Sequence, residues 1–237
     1  MQDFPTKPWQ LLYMEDFLSA PERFQALFQT TRAILTVISI GKENRGKFLE
    51  IAIKETQEAL SSGAHGIVYR NDDCNFADFR NIVKSLKEHF PDLPLGVNYT
   101  GDDWERYGFL KSFQLASEND LAFVWTWFSG IDRIDEREAI DVQRIWQAQP
   151  KEIFYFSGIH MSQSTLQHPE KSIECSTLQA IGYVDGIVTT LPTEDEPENK
   201  LERFEEIAKS YPYGIYLEKS QEPPPNFKGS FVIQEFS

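Results

Sequence analysis

The sequence predicts a (β/α)8 barrel of eight parallel strands whose last βα unit is truncated. Eight short runs rich in β-branched and aromatic residues alternate with amphipathic helical patterns, which implies right-handed βαβ crossovers and a parallel sheet. Eight strands in 237 residues fit a barrel better than a doubly wound sheet, and the glycine-rich first turn common in the latter is missing. We therefore expect one domain over residues 1–237 with an N-terminal helical extension over about residues 1–32.

The predicted strands are apolar runs bounded by turn residues. They cover residues 33–40, 65–70, 94–99, 121–128, 152–159, 185–190, 214–219 and 230–236. The predicted helices between them lie within residues 45–63, 75–90, 102–116, 136–149, 172–183 and 199–211.

The two ends of the predicted barrel are unusual. Residues 220–229, between the last two strands, can hold at most a turn of helix. A helix predicted within residues 16–31 is expected to cover the surface that a last helix would otherwise cover.

Composition excludes several classes of partner. The chain has 23 Lys and Arg against 37 Asp and Glu, a net charge of -14, which repels nucleic acid and anionic membrane surfaces. Cys74 and Cys175 have no ligand-like spacing, so we expect free thiols and no metal. No signal-like or membrane-spanning apolar run is present, which predicts a soluble, cytoplasmic protein without membrane insertion.

The candidate site follows from the barrel, because active sites of this fold lie where the βα loops leave the C-terminal strand ends. Period-two alternation places Arg70, Asn98 and Trp127 in compatible phases, with Trp125 two residues earlier on the same strand as Trp127. If these side chains face the barrel interior, the Asn98 amide and the Arg70 guanidinium are expected to bind polar groups of a ligand. The two indoles are then expected to stack on a sugar or base. The alternatives are outward-facing tryptophans packed on helices and Asn98 as a turn cap.

Acid-base candidates occur at three predicted loops of the same face. Asp102 and Asp103 precede a helix, so one of them is expected to act as its N-cap. The functional alternative pairs Asp103 with Glu218 or Asp72 for glycosidic or N-glycosidic cleavage. His160 follows the fifth strand, where it is placed for proton transfer.

The acidic run "TEDEPENK" at residues 193–200 follows the sixth predicted strand. Its composition is typical of a solvated loop, and its position would allow it to act as a lid.

Four stretches together resemble the BtpA/SgcQ family of barrel proteins. They read "GAHGIVYRNDDCNF", "LPLGVNYTGDD", "LAFVWTWFSGI" and "EIFYFSGIHMSQSTL…SIECSTLQAIGYVDGIVTT". The resemblance covers strands two to six and implies a barrel with its site at the strand ends. Asn71 matches a family asparagine, and Thr189 lies in the family-like strand "VDGIVTT". Ser39, Asn71 and Thr189 complete the set of residues that we expect to bind a ligand.

Departures from the family pattern affect the implied chemistry. Ser39 stands at a family histidine position, Arg70 at a glutamate position and Phe156 at an aspartate position. Leu217, Glu218 and Lys219 replace a Gly-Ser-Gly segment that resembles a phosphate cradle. A carboxylate there disfavours an anion, so we expect no phosphate bound to the backbone of residues 217–221.

Two functional classes remain at this point. The losses favour a binding or assembly factor, for which the family's association with photosystem I biogenesis is the precedent, or an enzyme with a changed substrate. The alternative is a hydrolase acting on a nucleoside or sugar with Asp103, Glu218 and His160. In both, we expect a small polar ligand of sugar or nucleoside type and no cofactor, and homo-oligomer formation stays open.

Overall fold

The fold is a closed barrel of eight parallel strands in sequence order. It is seen in a computed structural model that describes residues 19–41, 47–100, 108–127, 130–132, 137–148, 152–161 and 171–236. Each strand pairs with its neighbours in the sequence, and the eighth strand pairs with the first. The predicted fold class is therefore confirmed.

Strands and helices alternate along the chain. The strands are β1 (Ala33–Gly41), β2 (Gly66–Asp72), β3 (Leu95–Tyr99), β4 (Phe123–Thr126), β5 (Phe154–Gly158), β6 (Gly186–Thr190), β7 (Tyr213–Leu217) and β8 (Phe231–Glu235). The helices within the described ranges are α1 (Ala20–Phe28), α2 (Phe48–Ser61), α3 (Phe76–His89), α4 (Phe109–Glu118), α5 (Arg137–Gln147), α6 (Ile173–Ala180) and α7 (Lys200–Ala208). Residues 218–230 contain turns and no helix, as the truncated unit requires.

The barrel interior is packed by phenylalanines that lie against glycines on the neighbouring strand. Phe123 is the register partner of Gly96, Phe156 of Gly186, and Phe231 of Gly214. A Cβ at any of these glycines would overlap the partner ring. A small residue on one strand thus gives the ring of the next strand its space, as close packing of a narrow barrel requires.

We had expected α1 to cover the flank that a last helix would otherwise cover. The helix instead closes the N-terminal end of the barrel. Phe24 contacts the rings of Phe154, Phe156 and Phe231 at centroid distances of 5.6 to 6.4 Å. Phe28 packs against Phe123 at 5.7 Å and Phe156 at 6.2 Å. In this position Phe24 and Phe28 are 2% and 4% exposed, so nearly all of their apolar surface is removed from water.

A buried ion pair fixes α1 in this position. Arg23 Nη1 lies 2.5 Å from Asp185 Oδ1, and the side chain of Asp185 is 4% exposed. Asp185 Oδ2 also accepts a hydrogen bond from the backbone N–H of Tyr155 at 2.9 Å. Ahead of α1, Ser19 and Glu22 form a capping box that defines the start of the helix.

Candidate functional site

The C-terminal rim of the barrel carries most of the predicted site residues that the structure describes, but they do not form a single cluster. Asn98 lies at the end of β3, Glu218 directly follows β7, and His160 follows β5 by two residues. Asp102 and Asp103 lie outside the described residues. The rim carries two polar groups on opposite sides of the barrel, one near β1, β2 and β8 and one near β5 and β6.

The first group is centred on Arg70, which we call the Arg70 network. Its Nε lies 2.9 Å from Asp72 Oδ1 and its Nη1 lies 2.8 Å from Glu235 Oε1. Its Nη2 donates to Ser39 Oγ at 2.9 Å, while the Tyr216 hydroxyl donates to Glu235 Oε1 at 2.6 Å. Arg70 is thus held between two carboxylates and does not serve as a free anion receptor.

The electrostatics of the Arg70 network keep Glu235 ionised. Burial opposes its charge, but hydrogen bonds from Tyr216 and Arg70 outweigh burial and lower the pKa of Glu235. Burial raises the pKa of the Tyr216 hydroxyl, and its hydrogen bond to Glu235 adds to the effect. The phenol therefore stays a neutral donor at physiological pH.

Three aromatic side chains form the floor of the mouth. Trp125 stacks on Tyr216 with ring centroids 5.3 Å apart and an interplanar angle of 28°. Trp127 meets Tyr216 edge-on at 4.6 Å and Trp125 at 5.1 Å. Trp125 is fully buried, whereas Trp127 is half-buried. Both indoles therefore face the barrel interior, and part of the Trp127 indole stays accessible at the mouth.

Five buried side-chain atoms have no hydrogen-bond partner among the described residues, namely Asn71 Nδ2, Asn98 Nδ2, Trp125 Nε1, Asp132 Oδ1 and Thr189 Oγ1. Two of these donors, on Asn98 and Trp125, face the barrel interior. Asn98 is 2% exposed and Trp125 0%, and neither Asn98 Nδ2 nor Trp125 Nε1 has a hydrogen-bond partner within those ranges. Each follows the register pair Val97 and Val124 by one residue, so they occupy adjacent positions on β3 and β4. Buried polar groups are normally satisfied, so this pair marks a place for an oxygen acceptor.

Asn71 and Thr189 are not brought together with these donors. Asn71 follows the inward-facing Arg70 on β2, and Thr189 follows the inward-facing Val188 on β6. Because successive side chains of a strand point to opposite faces, Asn71 and Thr189 point toward the helices. Asn71 Oδ1 accepts from the Cys74 backbone N–H at 2.8 Å, which orders the turn after β2. Both side chains are buried, and we leave them out of the proposed ligand set.

The second polar group surrounds His160 and Lys200, and we call it the His160 cluster. Lys200 Nζ donates to the His160 carbonyl at 2.7 Å, to Thr190 Oγ1 at 3.1 Å and to Glu196 Oε1 at 2.7 Å. Asp132 Oδ2 accepts from the His160 backbone N–H at 2.9 Å. Lys200 is 2% exposed, so its ammonium is buried but fully coordinated.

The His160 cluster does not have the geometry of a nucleophilic triad. Ser176 Oγ lies 3.4 Å from His160 Nε2, and Asp132 Oδ1 lies 3.7 Å from the same nitrogen. A relay needs the nucleophile and the carboxylate on opposite ring nitrogens. Burial lowers the pKa of His160, with nearby Lys200 acting in the same direction and Asp132 opposing it. Burial likewise lowers the pKa of Lys200, against the effect of Glu196.

Glu218 lies at the corner between β7 and β8. Its side chain is exposed, its backbone N–H donates to Gln221 Oε1 at 2.9 Å, and its carbonyl accepts from the Gln221 N–H at 3.1 Å. The local backbone donors at the corner between β7 and β8 are thus partly engaged. This is compatible with our expectation that the corner binds no phosphate.

Sequence reasoning missed several residues of the rim. It did not identify Glu235, Asp132 or the burial of Lys200, because each gains its role from a partner on another element. One local signal existed for Lys200, since a lysine at the first position of a helix opposes the helix dipole and calls for a compensating carboxylate. Glu196, four residues earlier, is that carboxylate.

Neither a metal-binding cluster nor a membrane-spanning helix is found among the described residues. Within them, no group of three or more His, Cys, Asp or Glu side chains is arranged to hold a metal ion. No helix in the same ranges is long and apolar enough to cross a membrane. Both cysteines are free thiols, Cys74 buried and Cys175 exposed.

Comparisons with known proteins identify the fold. No family model matches the chain, and no curated protein matches it significantly in sequence. Among solved structures, a tryptophan synthase subunit alpha from Legionella pneumophila is 12% identical with a TM-score of 0.59, covering 90% of this chain and 86% of its own. An N-acetylmannosamine-6-phosphate 2-epimerase from Clostridium perfringens is 15% identical with a TM-score of 0.56, covering 88% and 89%.

A third solved structure extends the range of chemistries among these neighbours. A 2,3-dimethylmalate lyase is 13% identical with a TM-score of 0.52, covering 92% of this chain and 81% of its own. Identities this low show the barrel alone, which hosts many unrelated activities. The barrel implied by the resemblance to the BtpA/SgcQ family is confirmed, while membership of that family and a cytoplasmic location stay predictions.

Proposed function

We propose that this chain is a small-ligand-binding barrel protein whose mouth takes a neutral sugar or nucleoside-like molecule. The observation that carries the proposal is the pair of buried donors, Asn98 Nδ2 and Trp125 Nε1, without acceptors among the described residues. A ligand oxygen placed between β3 and β4 would satisfy both. The partly exposed Trp127 would pack against a sugar ring or base.

The charge of the mouth favours a neutral ligand over a phosphorylated one. Arg70 faces two carboxylates, Asp72 and Glu235, so the Arg70 network carries a formal charge of about −1 when all three groups are ionised. An incoming phosphate would have to displace one of these carboxylates from Arg70. A hydroxyl-bearing ligand avoids this competition.

The acid-base candidates that the structure describes do not form a catalytic pair by themselves. Glu218 is exposed after β7, and His160 lies at the opposite side of the rim from the Arg70 network. Glycosidic cleavage needs two carboxyl groups flanking one bond, and Asp103, which our hypothesis pairs with Glu218 or Asp72, lies outside the described residues, so the hydrolase remains the alternative. An assembly role like that implied by the resemblance to the BtpA/SgcQ family rests on the resemblance alone.

The proposal is tested by thermal unfolding of the chain with a panel of nucleosides, free sugars and sugar phosphates. We expect at least one neutral member to raise Tm in proportion to the logarithm of its concentration, because a ligand that binds only the folded state stabilises it. The corresponding sugar phosphate should bind more weakly. Chromatography of the same mixtures reports any cleavage, which would favour the hydrolase.

Two variants connect any such binding to the mouth. Asn98→Leu removes the unsatisfied amide at similar volume, so we expect at least tenfold weaker binding, while the free protein should be at least as stable as the parent. Trp127→Leu should weaken binding similarly. Leu178→Ser, at a side chain that is 67% exposed on α6, is the matched surface control. Unchanged affinity in both mouth variants would place the ligand elsewhere.

A further inference from the structure

A small cavity opens at the rim beside β1, and two of its lining residues, Ser39 and Glu235, belong to the Arg70 network. Strand β8 ends level with Val37, the register partner of Glu235, while β1 continues to Gly41. The step between the two strand ends leaves a cavity of about 130 Å³. Its lining residues are Val37, Ser39, Glu55, Lys219, Glu235 and Phe236.

Opposite charges line this cavity, which we call the β1–β8 cavity, without pairing with each other. Glu55 on α2 is half-buried and Lys219 after β7 is exposed, and neither forms a hydrogen bond or ion pair with another described residue. Burial raises the pKa of the Glu55 carboxyl, partly offset by the charge of Lys219. A half-buried carboxylate without a partner costs stability that a bound cation would recover.

The remaining lining groups determine how a ligand would be oriented. Glu235 is already engaged by Arg70 and Tyr216. Ser39 Oγ accepts from Arg70, which leaves its O–H free to donate. Lys219 and Ser39 therefore supply donors, Glu55 supplies an acceptor, and Val37 and Phe236 supply apolar walls.

We propose that the β1–β8 cavity binds a small zwitterion, a free α-amino acid with a short side chain. The ligand ammonium pairs with Glu55, and the ligand carboxylate is held by Lys219 and the Ser39 hydroxyl. A ligand with only an anionic group faces Glu55 and Glu235 unfavourably, and a neutral polyol leaves Glu55 unpaired. The cavity volume limits the side chain to a few heavy atoms.

This proposal goes beyond the one for the mouth and does not depend on it. Asn98, Trp125 and Trp127 do not line the β1–β8 cavity. A variant of Trp127 should therefore leave amino-acid binding unchanged, whereas a variant of Glu55 should leave nucleoside or sugar binding unchanged. The two proposals can fail separately.

The test is calorimetric titration of the full chain with glycine, L-alanine and L-serine, and with ethylamine and propionate as single-charge analogues. We expect at least one amino acid to bind at least tenfold more tightly than either analogue. Glu55→Gln and Lys219→Gln should each weaken that binding at least tenfold. The matched control is Lys54→Gln, an exposed neighbour on α2 that lies near Glu58.

Folding is checked on each variant by circular dichroism and Tm. Because Glu55 is unpaired and its ionised form is disfavoured by burial, Glu55→Gln should be as stable as the parent at pH 7. The proposal is overturned if no amino acid binds the parent chain, if ethylamine or propionate binds equally well, or if Glu55→Gln and Lys219→Gln retain full affinity.

Discussion

The two ends of this barrel are built on different principles. At the N-terminal end, Phe24 and Phe28 of α1 pack into rings contributed by the strands, and the apolar surface is closed. At the C-terminal end, Arg70 is partly buried between two carboxylates, and Asn98 and Trp125 hold donors without acceptors in the described ranges. Aromatic packing at the N-terminal end stabilises the fold, whereas the unsatisfied polar groups at the C-terminal end reduce its stability.

This difference separates stability from binding. Each buried donor without an acceptor costs about 1–3 kcal/mol, which a ligand or water oxygen recovers. Proteins break the rule of satisfied polar groups mainly where function requires it. In a (β/α)8 barrel that place is the C-terminal face, and the loops there vary without disturbing the packed opposite end.

The largest effect is expected at the closed end. Phe156 is fully buried and its ring contacts those of Phe24, Phe123 and Phe231. Phe156→Ala should lower the free energy of unfolding by about 3–5 kcal/mol, through lost burial and the cavity left behind. Urea denaturation measures the change, with Leu178→Ala as the exposed control. A loss below about 1 kcal/mol would mean that this end is not tightly packed.

A smaller loss is expected at the mouth, where the ions are partly hydrated. Arg70→Met leaves Asp72 and Glu235 without their cation, and the exposed fractions of their side chains are 39% and 23%. We expect a loss of about 2–3 kcal/mol, reduced from the fully buried case by solvent screening. Arg203→Met, which breaks the pair with Glu174 on the neighbouring helix, should cost clearly less, because water screens both groups. Equal losses in both variants would remove the distinction between network and surface pair.

The glycine and phenylalanine pairs on neighbouring strands test how tightly the barrel interior is packed. Gly186→Ala places a methyl group where the Phe156 ring lies, so we expect a loss of about 1–3 kcal/mol from overpacking. Gly182→Ala, on the turn after α6 where a Cβ has ordinary contacts, is the control. Thermal unfolding of the two variants distinguishes a steric clash from a general effect of replacing glycine.

The smallest expected effect is a pH dependence of the His160 cluster. Because burial lowers the pKa of His160 in the folded state, the unfolded state binds a proton more readily as pH falls below the ordinary value near 6.5. Stability is therefore lost in that acidic range, and His160→Gln should flatten the decline. The exposed His89→Gln at the end of α3 is the control. A decline that is unchanged in His160→Gln would assign it to carboxylates instead.

The sequence by itself determined the fold class, the order of its elements and the phase of several site residues. Hydrophobic alternation is a local property with a period of two, so the inward phase of Arg70 and Asn98 could be predicted from their own strands. Trp125 was less certain because an indole packs equally well inside a barrel or beneath a helix. The space beside Gly96 is filled by the ring of Phe123 from the next strand, which the sequence of β3 alone does not reveal.

Only the tertiary structure decided which side chains meet. Arg70 and Glu235 are 165 residues apart, and their ion pair exists because barrel closure places β8 beside β1 and brings β2 within reach. The position of α1 was likewise settled by the open strand ends beneath it. Lys200 is buried because His160, Thr190 and Glu196 supply three oxygen atoms around its ammonium. Such partnerships depend on distances across the barrel, which the local periodicity of a sequence does not contain.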